Sequence, residues 1–279
     1  MTKTVFITGA SAGFGRHFAE EALRLGYNVV ATARRLDRLE TLAAQAPDRV
    51  LPLSVDVGKA ETIAAAVEAA VARFGGIDVL INNAGYGLVG ALEETPADEW
   101  QDIFRTNLFG AVETMRAVLP VMRRQRSGSI VNISSMGGQL SFAGFSAYSA
   151  TKFALEGASE ALAEEMKPLG IHVMIVEPGA FRTDFASGAL RHMQAIADYN
   201  ETVGPSRAFA HDMDATQPGD PAKAAQAVFQ AVASDTSPLR LALGNDAVDG
   251  IRAHAERVLK DLKDWEAVSR GAVFEAEPA

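Results

Sequence analysis

Residues 4–15 of this chain read Thr-Val-Phe-Ile-Thr-Gly-Ala-Ser-Ala-Gly-Phe-Gly, and this stretch decides the fold. A short apolar run is followed by Gly9, Gly13 and Gly15, and helical periodicity begins at once over about 13–25. Glycines allow a sharp turn and a close approach of the backbone to a pyrophosphate, whose charge is favoured at a helix N-terminus. The stretch therefore predicts a strand, a dinucleotide-binding loop and a helix; the alternative is a tight turn without a ligand. It is not a P-loop, because the terminal Gly-Lys-Ser/Thr is missing.

The rest of the chain repeats this alternation of strand and helix. Short runs rich in branched apolar residues predict strands at 5–8, 28–32, 50–55, 79–81, 129–133, 172–176 and 239–243. Helical periodicity lies between them, at about 13–25, 36–46, 59–74, 98–125, 148–169 and 220–233. This alternation predicts an α/β fold, a doubly wound parallel sheet of seven strands with helices on both faces. No internal repeat interrupts it, which favours a single domain over residues 1–279.

Composition narrows the range of functions. The 279 residues carry a formal net charge of −9 and no cysteine. The negative charge argues against a nucleic-acid partner, and the lack of cysteine excludes disulfides, thiolate metal sites and cysteine nucleophiles. The five histidines show no metal-ligand spacing, so no metal site is predicted. The chain has neither a signal-like segment nor an apolar run long enough to cross a membrane, and a cytoplasmic protein is expected.

The end of the second predicted strand bears on the choice of cofactor. Arg34 and Arg35 stand there, with no acid before Asp37. NAD-selective sites place a carboxylate at this point to bond the ribose 2′-hydroxyl. A guanidinium instead suits a 2′-phosphate, which a carboxylate would repel. We therefore expect NADP(H) as the preferred cofactor, bound by Arg34 first and Arg35 second, with NAD(H) as the alternative. The alternative interpretation is that both arginines simply begin a solvent-exposed helix and bind no phosphate.

Tyr148 and Lys152 open a strongly helical segment and share one of its faces, since they are four residues apart. A free tyrosine titrates near pH 10, and a neighbouring positive charge favours its phenolate. The pair is therefore an acid–base couple suited to ordinary pH. Ser135 follows a buried-type strand, at the edge where ligands bind in open α/β sheets, so its hydroxyl can hold a substrate oxygen. For Ser134 we expect only strand termination and capping.

Together with three further motifs, these residues resemble the short-chain dehydrogenase/reductases, in the branch with a single domain. The motifs are Asn82-Asn83-Ala84-Gly85, Asn107 within Arg105-Thr-Asn-Leu, and Pro178-Gly179 followed by Thr183. The resemblance runs from about residue 3 to about 245. It implies a Rossmann-type fold and an NAD(P)-dependent oxidoreductase acting on CH–OH groups. Family members pair through helices that correspond to about 98–125 and 148–169, so a homodimer or homotetramer is expected.

The resemblance also implies a role for each catalytic candidate. Tyr148 resembles the acid/base, and Lys152 the residue that lowers its pKa and binds the nicotinamide ribose. Ser135 resembles the hydroxyl that orients the substrate. Asn107 matches the fourth catalytic member, which holds a water that links the lysine to solvent.

The cofactor-binding residues implied in the same way span the whole crevice. They are Gly9, Ser11, Gly13, Phe14, Gly15, Arg34, Arg35, Asp56, Val57, Asn82, Ala84, Gly85, Tyr148, Lys152, Pro178, Gly179 and Thr183. Asp56 is similar to the carboxylate that meets the adenine amino group, with Val57 beside it. Asn82 and Gly85 resemble the segment lining the adenosine ribose, and Thr183 the hydroxyl near the carboxamide.

The expected reaction follows from this chemistry and the resemblance together. In the reductive direction the nicotinamide C4 delivers hydride to a carbonyl carbon, while Ser135 and Tyr148 bind the developing alkoxide and Tyr148 donates the proton. The expected function is interconversion of a ketone or aldehyde with an alcohol. One rival is a catalytically silent NADPH-sensing regulatory protein, which would need only the cofactor half of the site. The other is a hydride-dependent isomerase or epimerase.

The substrate is expected to be a hydrophobic small molecule. Residues 180–215 form a long connection, which we interpret as a substrate lid, and 245–279 are a charged C-terminal helical extension. The expected pocket wall is mostly apolar. It comprises Tyr86, Met136, Leu140, Phe142, Phe145, Phe181 and Phe185. Alternatively, Arg182, Arg191 and Arg207 receive an anionic group of the substrate. The resemblance leans towards steroid- and retinol-type members of the family.

Overall fold

The computed structural model describes residues 2–213 and 215–274. The strands are β1 (Thr4–Ile7), β2 (Asn28–Ala33), β3 (Val50–Ser54), β4 (Val79–Asn82), β5 (Gly87–Val89), β6 (Gly128–Ile133), β7 (Ile171–Pro178), β8 (Leu190–His192) and β9 (Arg240–Leu243). The helices are α1 (Gly13–Arg24), α2 (Glu40–Ala43), α3 (Ala60–Phe74), α4 (Ala97–Phe104), α5 (Gly110–Gln125), α6 (Ser146–Met166), α7 (Gly204–Asp212), α8 (Pro221–Val232), α9 (Asn245–Asp264) and α10 (Glu266–Arg270).

The main sheet has the order β3-β2-β1-β4-β6-β7-β9, and all of its neighbouring strands run parallel. The chain starts at β1 in the middle, builds outward to β3, and then returns to the other side of β1 with β4. The predicted doubly wound seven-stranded fold is confirmed. A crevice opens where the order reverses, between β1 and β4, at the carboxyl ends of the strands.

Each strand sends alternate side chains to opposite faces of the sheet, and both faces are covered by helices. In β1, Val5 and Ile7 join the core cluster that contains Phe18 of α1. Phe6, between them, joins the opposite cluster, with Ile63 of α3. All five side chains are at most 1 % exposed. Burial on both faces explains why the strands read as continuous apolar runs rather than as an alternating pattern.

The helix predicted over 98–125 is interrupted in the structure. It ends as α4 at Phe104, passes through a π-helical turn at Arg105–Phe109, and resumes as α5. Such turns widen a helix locally and occur frequently at functional sites. Here the turn carries Asn107, whose side chain is buried.

A second, two-stranded parallel sheet, β5 with β8, ties the segment after residue 180 to the body of the protein. The sequence did not predict it, because three-residue strands give too short a pattern. Glu94 strengthens the same connection: its side chain accepts hydrogen bonds from the backbone N–H groups of Ala91 (2.5 Å) and Ile196 (2.7 Å) and pairs with Arg207. Burial alone would raise the pKa of Glu94, but these contacts outweigh it and lower the pKa.

The C-terminal extension is helical, as α9 and α10. Its last part, 275–279, lies outside the described residues. None of the helices in the described part of the chain is long and apolar enough to cross a bilayer.

Candidate active site

The glycine loop that follows β1 leaves no room for side chains. A Cβ atom on Gly15 would lie 2.2 Å from the Gly9 carbonyl oxygen, and one on Gly9 would lie 3.0 Å from Cα of Ala84. Gly9 and Gly13 also have positive φ angles, +69° and +51°, which side chains disfavour. The loop therefore brings bare backbone to the N-terminus of α1, an arrangement that suits a pyrophosphate.

Thr8 and Asn83 hold this loop, and the sequence analysis gave neither of them a role. The Asn83 amide donates to the carbonyl oxygens of Thr8 (3.0 Å) and Gly9 (3.1 Å). The Thr8 hydroxyl accepts from the backbone N–H groups of Asn83 (2.9 Å) and Ala84 (3.0 Å). The ends of β1 and β4 are thus locked together. Only the strand order could have revealed this, because it makes two distant strands neighbours.

Asn82 was expected to line the adenosine ribose, but its side chain faces the core. It is 4 % exposed, and its amide donates to Asn132 of β6 at 2.8 Å. Asn132 in turn donates to Ser159 of α6 at 2.8 Å. The reason is strand alternation: Asn82 is the last residue of β4, so its side chain lies on one face of the sheet and not in the crevice at the strand's end. The crevice receives the residues that follow the strand, Ala84 and Gly85.

Asp56 and Val57 lie just beyond β3. The Asp56 carboxylate accepts from the backbone N–H of Gly58 at 3.0 Å, and the Thr62 hydroxyl donates to the Asp56 carbonyl oxygen at 2.8 Å. Val57 packs against the start of α5, where a Cβ on Gly110 would lie 2.8 Å from it. These contacts fix the turn but leave Asp56 partly exposed.

Arg34 and Arg35 are exposed directly after β2. An open cleft of about 600 Å³ lies nearby, lined by Ser11, Ala12, Gly13, Arg16, His17, Asp37, Arg38, Thr41, Arg182, Thr183 and Asp184. Two cations in this lining, Arg16 and Arg38, were not predicted from the sequence. Arg16 donates to Thr41 at 3.0 Å and therefore connects α1 to α2. A spacing pattern could not have found it, because the two helices meet only in the folded chain.

Tyr148 and Lys152 converge as their spacing predicts. The Lys152 Nζ lies 5.7 Å from the centroid of the Tyr148 ring and donates to the Ile133 carbonyl oxygen at 2.8 Å. Lys152 is only 6 % exposed. Burial lowers the pKa of Lys152 from 10.5 to about 8, and the nearby Glu156 carboxylate opposes this shift.

The pKa of the Tyr148 phenol is raised above its usual value of 10.0. Burial raises the pKa of this phenol, and a hydrogen bond with Ser135 opposes the rise. The physical reason for the rise is that Tyr148 is desolvated in this structure. The expected lowering of this pKa by Lys152 stays a prediction. The Ser135 oxygen also accepts from the Gly137 N–H at 3.0 Å, so the Ser135 proton remains available for donation.

The Asn107 side chain contacts the backbone of Tyr86 and the side chain of Thr151. Its amide nitrogen donates to the Tyr86 carbonyl oxygen (2.8 Å) and to the Thr151 hydroxyl (3.3 Å), and its oxygen accepts from the Tyr86 N–H at 3.0 Å. A Cβ on Gly85 would lie 3.1 Å from the same oxygen. Asn107 therefore ties the π-helical turn to the segment after β4 and to α6.

A buried cluster of charges next to Lys152 went unnoticed in the sequence. Glu156 of α6 accepts from the Ser134 hydroxyl at 2.7 Å and from Arg240 of β9 at 3.2 Å. Arg240 also lies 3.4 Å from Glu177 of β7. Burial, followed by the proximity of Glu156, raises the pKa of Glu177 to about 7. Ser134 is thus part of a hydrogen-bonded network and does more than end a strand.

Aromatic side chains surround Tyr148. The ring centroids of Phe145 and Phe185 lie 6.5 Å and 6.0 Å from that of Tyr148. Tyr86 belongs to the same small apolar cluster. These three come from the loop before α6, from the segment after residue 180 and from the segment after β4, as the predicted pocket wall requires.

The structure does not bring the other predicted wall residues to Tyr148. Phe181 packs on Phe14 of the glycine loop, with centroids 5.1 Å apart. Leu140 is 5 % exposed, and with Met136 it faces α9. Phe142 is 52 % exposed. Length and hydrophobicity could not separate these residues from the true neighbours of Tyr148.

The three arginines considered for an anionic substrate group already have partners. Arg191 pairs with Glu99 at 2.8 Å and lies 4.5 Å from the centroid of the Tyr86 ring. Arg207 pairs with the buried Glu94, and Arg182 donates to the Gln217 carbonyl oxygen at 3.1 Å. The alternative of an anionic substrate receives no support from this arrangement.

Pro178 ends β7, and Gly179 follows it under tight constraint. The Gly179 N–H donates to the Leu243 carbonyl oxygen at 2.9 Å, and a Cβ on Gly179 would lie 2.1 Å from the Asp246 carboxylate. Thr183 lies against the glycine loop, 3.5 Å from a Cβ placed on Gly13. This path returns the chain to the crevice. Within 2–213 and 215–274, no group of three or more His, Cys, Asp or Glu side chains could hold a metal ion.

Comparison with known proteins agrees with this geometry. Residues 3–195 match the family model described as short chain dehydrogenase. The chain is 37 % identical over 270 residues to "Oxidoreductase BOA17" of Botryotinia fuckeliana, with 96 % of this chain and 98 % of that protein covered. It is 38 % identical over 245 residues to "3-ketodihydrosphingosine reductase" of Bacteroides thetaiotaomicron, with 86 % and 87 % covered.

Solved structures are similar over nearly the whole chain. A short-chain dehydrogenase from Streptomyces avermitilis has a TM-score of 0.94 and 52 % identity, with 98 % of this chain and 100 % of that chain covered. One from Burkholderia phymatum, in complex with NAD, has a TM-score of 0.83 and 25 % identity, with 93 % of this chain and 95 % of that chain covered. An alcohol dehydrogenase from Thermococcus sibiricus, complexed with 5-hydroxy-NADP, has a TM-score of 0.73 and 26 % identity, with 87 % of this chain and 96 % of that chain covered. The chain therefore belongs to the short-chain dehydrogenase family and is an NAD(P)-dependent oxidoreductase.

Proposed function

We propose that this enzyme interconverts a hydrophobic ketone or aldehyde with its alcohol, prefers NADP(H) to NAD(H), and uses Tyr148 as its acid/base. One observation carries the proposal: the Lys152 ammonium lies 5.7 Å from the centroid of the Tyr148 ring, and the Ser135 hydroxyl is close enough to the phenol to oppose the rise of its pKa. An acid, a cation and an orienting hydroxyl therefore meet at the carboxyl edge of the sheet.

The crevice fits a nicotinamide dinucleotide because the glycine loop brings bare backbone to the N-terminus of α1, beside an open cleft of about 600 Å³. Gly9, Ser11 and Gly13 would hold the pyrophosphate, Asp56 the adenine end, and Lys152 the nicotinamide ribose. When bound, the nicotinamide supplies or accepts the hydride.

The chain's own residues handle the substrate oxygen and its proton. Ser135 accepts a backbone N–H at its oxygen, so its proton can be donated to the substrate oxygen. Tyr148 donates the second hydrogen bond and transfers its proton as the alkoxide forms. Lys152 stabilises the phenolate that remains, because its positive charge lies close to the ring. Phe145 and Phe185 exclude water from this position.

The alcohol–carbonyl class has further support. The Bacteroides relative is named as a reductase of a keto compound, and the wall around Tyr148 is aromatic. An apolar wall favours an uncharged, hydrophobic substrate.

The preference for NADP(H) rests on the charges near the end of β2. Arg34 follows this strand directly, and Arg16 and Arg38 add positive charge to the neighbouring cleft. The first acid after the strand, Asp37, lies 3.8 Å from Arg38 and is partly neutralised by it. A 2′-phosphate would therefore meet several guanidinium groups.

Arg34→Ser is expected to lower kcat/KM for NADPH by about 10–100-fold, the range of a lost charge-assisted hydrogen bond. The value for NADH should hardly change, because NADH has no 2′-phosphate. Steady-state kinetics with both cofactors measures this. Arg73→Ser, at the far end of α3, is the matched control and should affect neither cofactor. Equal losses with NADPH and NADH would contradict the assignment of Arg34.

A panel of ketones and aldehydes tests the reaction itself by consumption of NADPH. Steady consumption with apolar carbonyl compounds, and recovery of the alcohol, is the expected result. Tight binding of NADPH without consumption by any compound would favour the silent sensor. Conversion of a substrate to its epimer without net loss of NADPH would favour the isomerase.

We also propose self-association through α5 and α6 as part of this function. Phe109, just before α5, and Phe153 of α6 are 56 % and 46 % exposed. Exposed aromatic side chains are typical of a contact between subunits, here a homodimer or homotetramer.

A further inference from the structure

The C-terminal half of α9 leaves the body of the protein. At its start Ala247 is buried, and Gly250 lies so close to the turn before residue 140 that a Cβ would be 2.9 Å from Cε of Met136. From 255 to 274, every residue is exposed. An isolated helix of this length is marginal in water, since helices in proteins gain most of their stability from packing of an apolar face. The free half of α9 therefore needs a partner surface.

An apolar stripe follows α9 with the spacing of a coiled coil. Its positions are Val248, Ile251, Ala255, Val258, Leu262 and Trp265, separated by three, four, three, four and three residues. This is the 3.5-residue period of an a/d seam. Val248, Val258, Leu262 and Trp265 are 39 %, 52 %, 65 % and 64 % exposed. A contiguous stripe of this kind marks an interaction surface.

We propose that α9 pairs antiparallel with α9 of a second copy of this chain. In this register Val248 packs beside the partner's Trp265, Ile251 beside the partner's Leu262, and Ala255 beside the partner's Val258. A two-fold axis makes the contact self-complementary, so each stripe position meets another stripe position. The exposure of Val248 fits this arrangement, because the register covers it with the tip of the partner helix.

Charged residues beside the stripe favour the antiparallel orientation. In a parallel pair, Asp261 would lie beside the partner's Glu266, and like charges at such flanking positions disfavour pairing. The antiparallel pair avoids this contact and brings His254 beside the partner's Asp261.

The overall charge of the extension also indicates what kind of partner covers its apolar stripe. Residues 245–270 carry six acidic and five basic side chains. Helices that bind membrane surfaces are instead rich in Lys and Arg. A second copy is therefore the better occupant than a lipid surface.

The contact is expected to be modest in strength. Stable interfaces bury about 1,200–2,000 Å² in total, and two helices about 30 Å long reach only the lower end of that range. Trp265 and Leu262, at the exposed tip, are the expected anchors because large side chains dominate such contacts. We expect a dissociation constant on the order of micromolar.

Sedimentation velocity of the full-length protein over a concentration series tests the pairing. Leu262→Glu should reduce the particle mass to half that of wild type at concentrations well above micromolar, and the wild-type mass should fall towards the same value at lower concentrations. Ala253→Glu adds the same charge on the face of α9 opposite the stripe, because Ala253 is exposed and lies two residues from both Ile251 and Ala255, and it should leave the mass as in wild type. An unchanged melting temperature for both variants shows that the fold is intact. A Leu262→Glu protein with the same particle mass as wild type at every concentration would overturn the proposal.

Disulfide formation tests the orientation, because the chain has no cysteine of its own. A mixture of Ala255→Cys and Val258→Cys chains should form the mixed disulfide under mild oxidation. Leu262→Cys chains alone should not couple to each other. Efficient coupling of Leu262→Cys with itself, without the mixed disulfide, is the parallel result and rules the antiparallel pair out.

Discussion

Tyr148→Phe is expected to lower kcat by about 10²–10⁴-fold, the range that general acid–base catalysis contributes. The variant keeps the ring that packs between Phe145 and Phe185 and loses only the hydroxyl. Without that proton, the developing alkoxide keeps the Ser135 hydrogen bond but cannot be neutralised. Binding of NADPH should persist, because the glycine loop and Arg34 are untouched.

Two quantities test this prediction. One is kcat for a substrate found in the carbonyl panel, and the other is the NADPH dissociation constant, measured by fluorescence titration. Tyr27→Phe is the matched control, since Tyr27 packs edge-on against Phe229, far from the crevice, with centroids 5.7 Å apart. A Tyr148→Phe enzyme with wild-type turnover would show that another group supplies the proton.

Lys152→Met is expected to have opposite effects on activity and stability. Turnover should fall by about 10²-fold or more, because the cation beside Tyr148 is lost. The free energy of unfolding should nevertheless rise near neutral pH. Wild type holds an ammonium at a position that is 6 % exposed, whereas methionine fills the same space without a charge.

The size of the stability effect follows from the pKa of Lys152. The shift from 10.5 to about 8 corresponds to about 3 kcal/mol at ~1.4 kcal/mol per unit. Against this, the Ile133 carbonyl loses the donor that lies 2.8 Å away, a cost of about 1–3 kcal/mol. The variant should therefore be more stable by about 1 kcal/mol below pH 8.

The stability of wild type should depend on pH through Lys152. Below about pH 8 the ammonium is charged in both states, and the folded wild type bears the full cost of burial. Between about 8 and 10.5 the unfolded chain binds more protons, so wild-type stability rises with pH. Above that range only the lost hydrogen bond remains, and wild type should be the more stable.

Urea unfolding of both proteins at pH 7 and near pH 10.5 measures this change of sign. Lys223→Met, on the exposed side of α8, is the control and should show no crossing. A Lys152→Met protein that is less stable than wild type at both pH values would mean that Lys152 is held by contacts stronger than the cost of its burial.

Local features of the site could be predicted because they depend on spacing alone. Gly9, Gly13 and Gly15 stand between a strand and a helix, so their backbone role was readable from residues 4–15. Tyr148 and Lys152 are one helical turn apart, and any helix through them brings their side chains together. The seven-stranded parallel sheet with helices on both faces followed from the alternation of apolar runs with helical segments.

Other parts of the site depend on which distant segments become neighbours. Sequence could not tell that Asn82 points across the sheet to Asn132 while Asn83 ties the loop. It also could not show that Glu156, Glu177 and Arg240 meet beneath Lys152.

The amino-acid sequence by itself determined the doubly wound sheet, the glycine loop and the Tyr148–Lys152 pair. The loop and the pair are each written within a few consecutive residues, and the sheet in the regular alternation of apolar runs with helical segments. Only the tertiary structure decided the burial that sets the pKa of Lys152, the partners of Arg191 and Arg207, and the exposure of the stripe on α9. Burial and long-range pairing are properties of how segments pack, and no short pattern of residues encodes them.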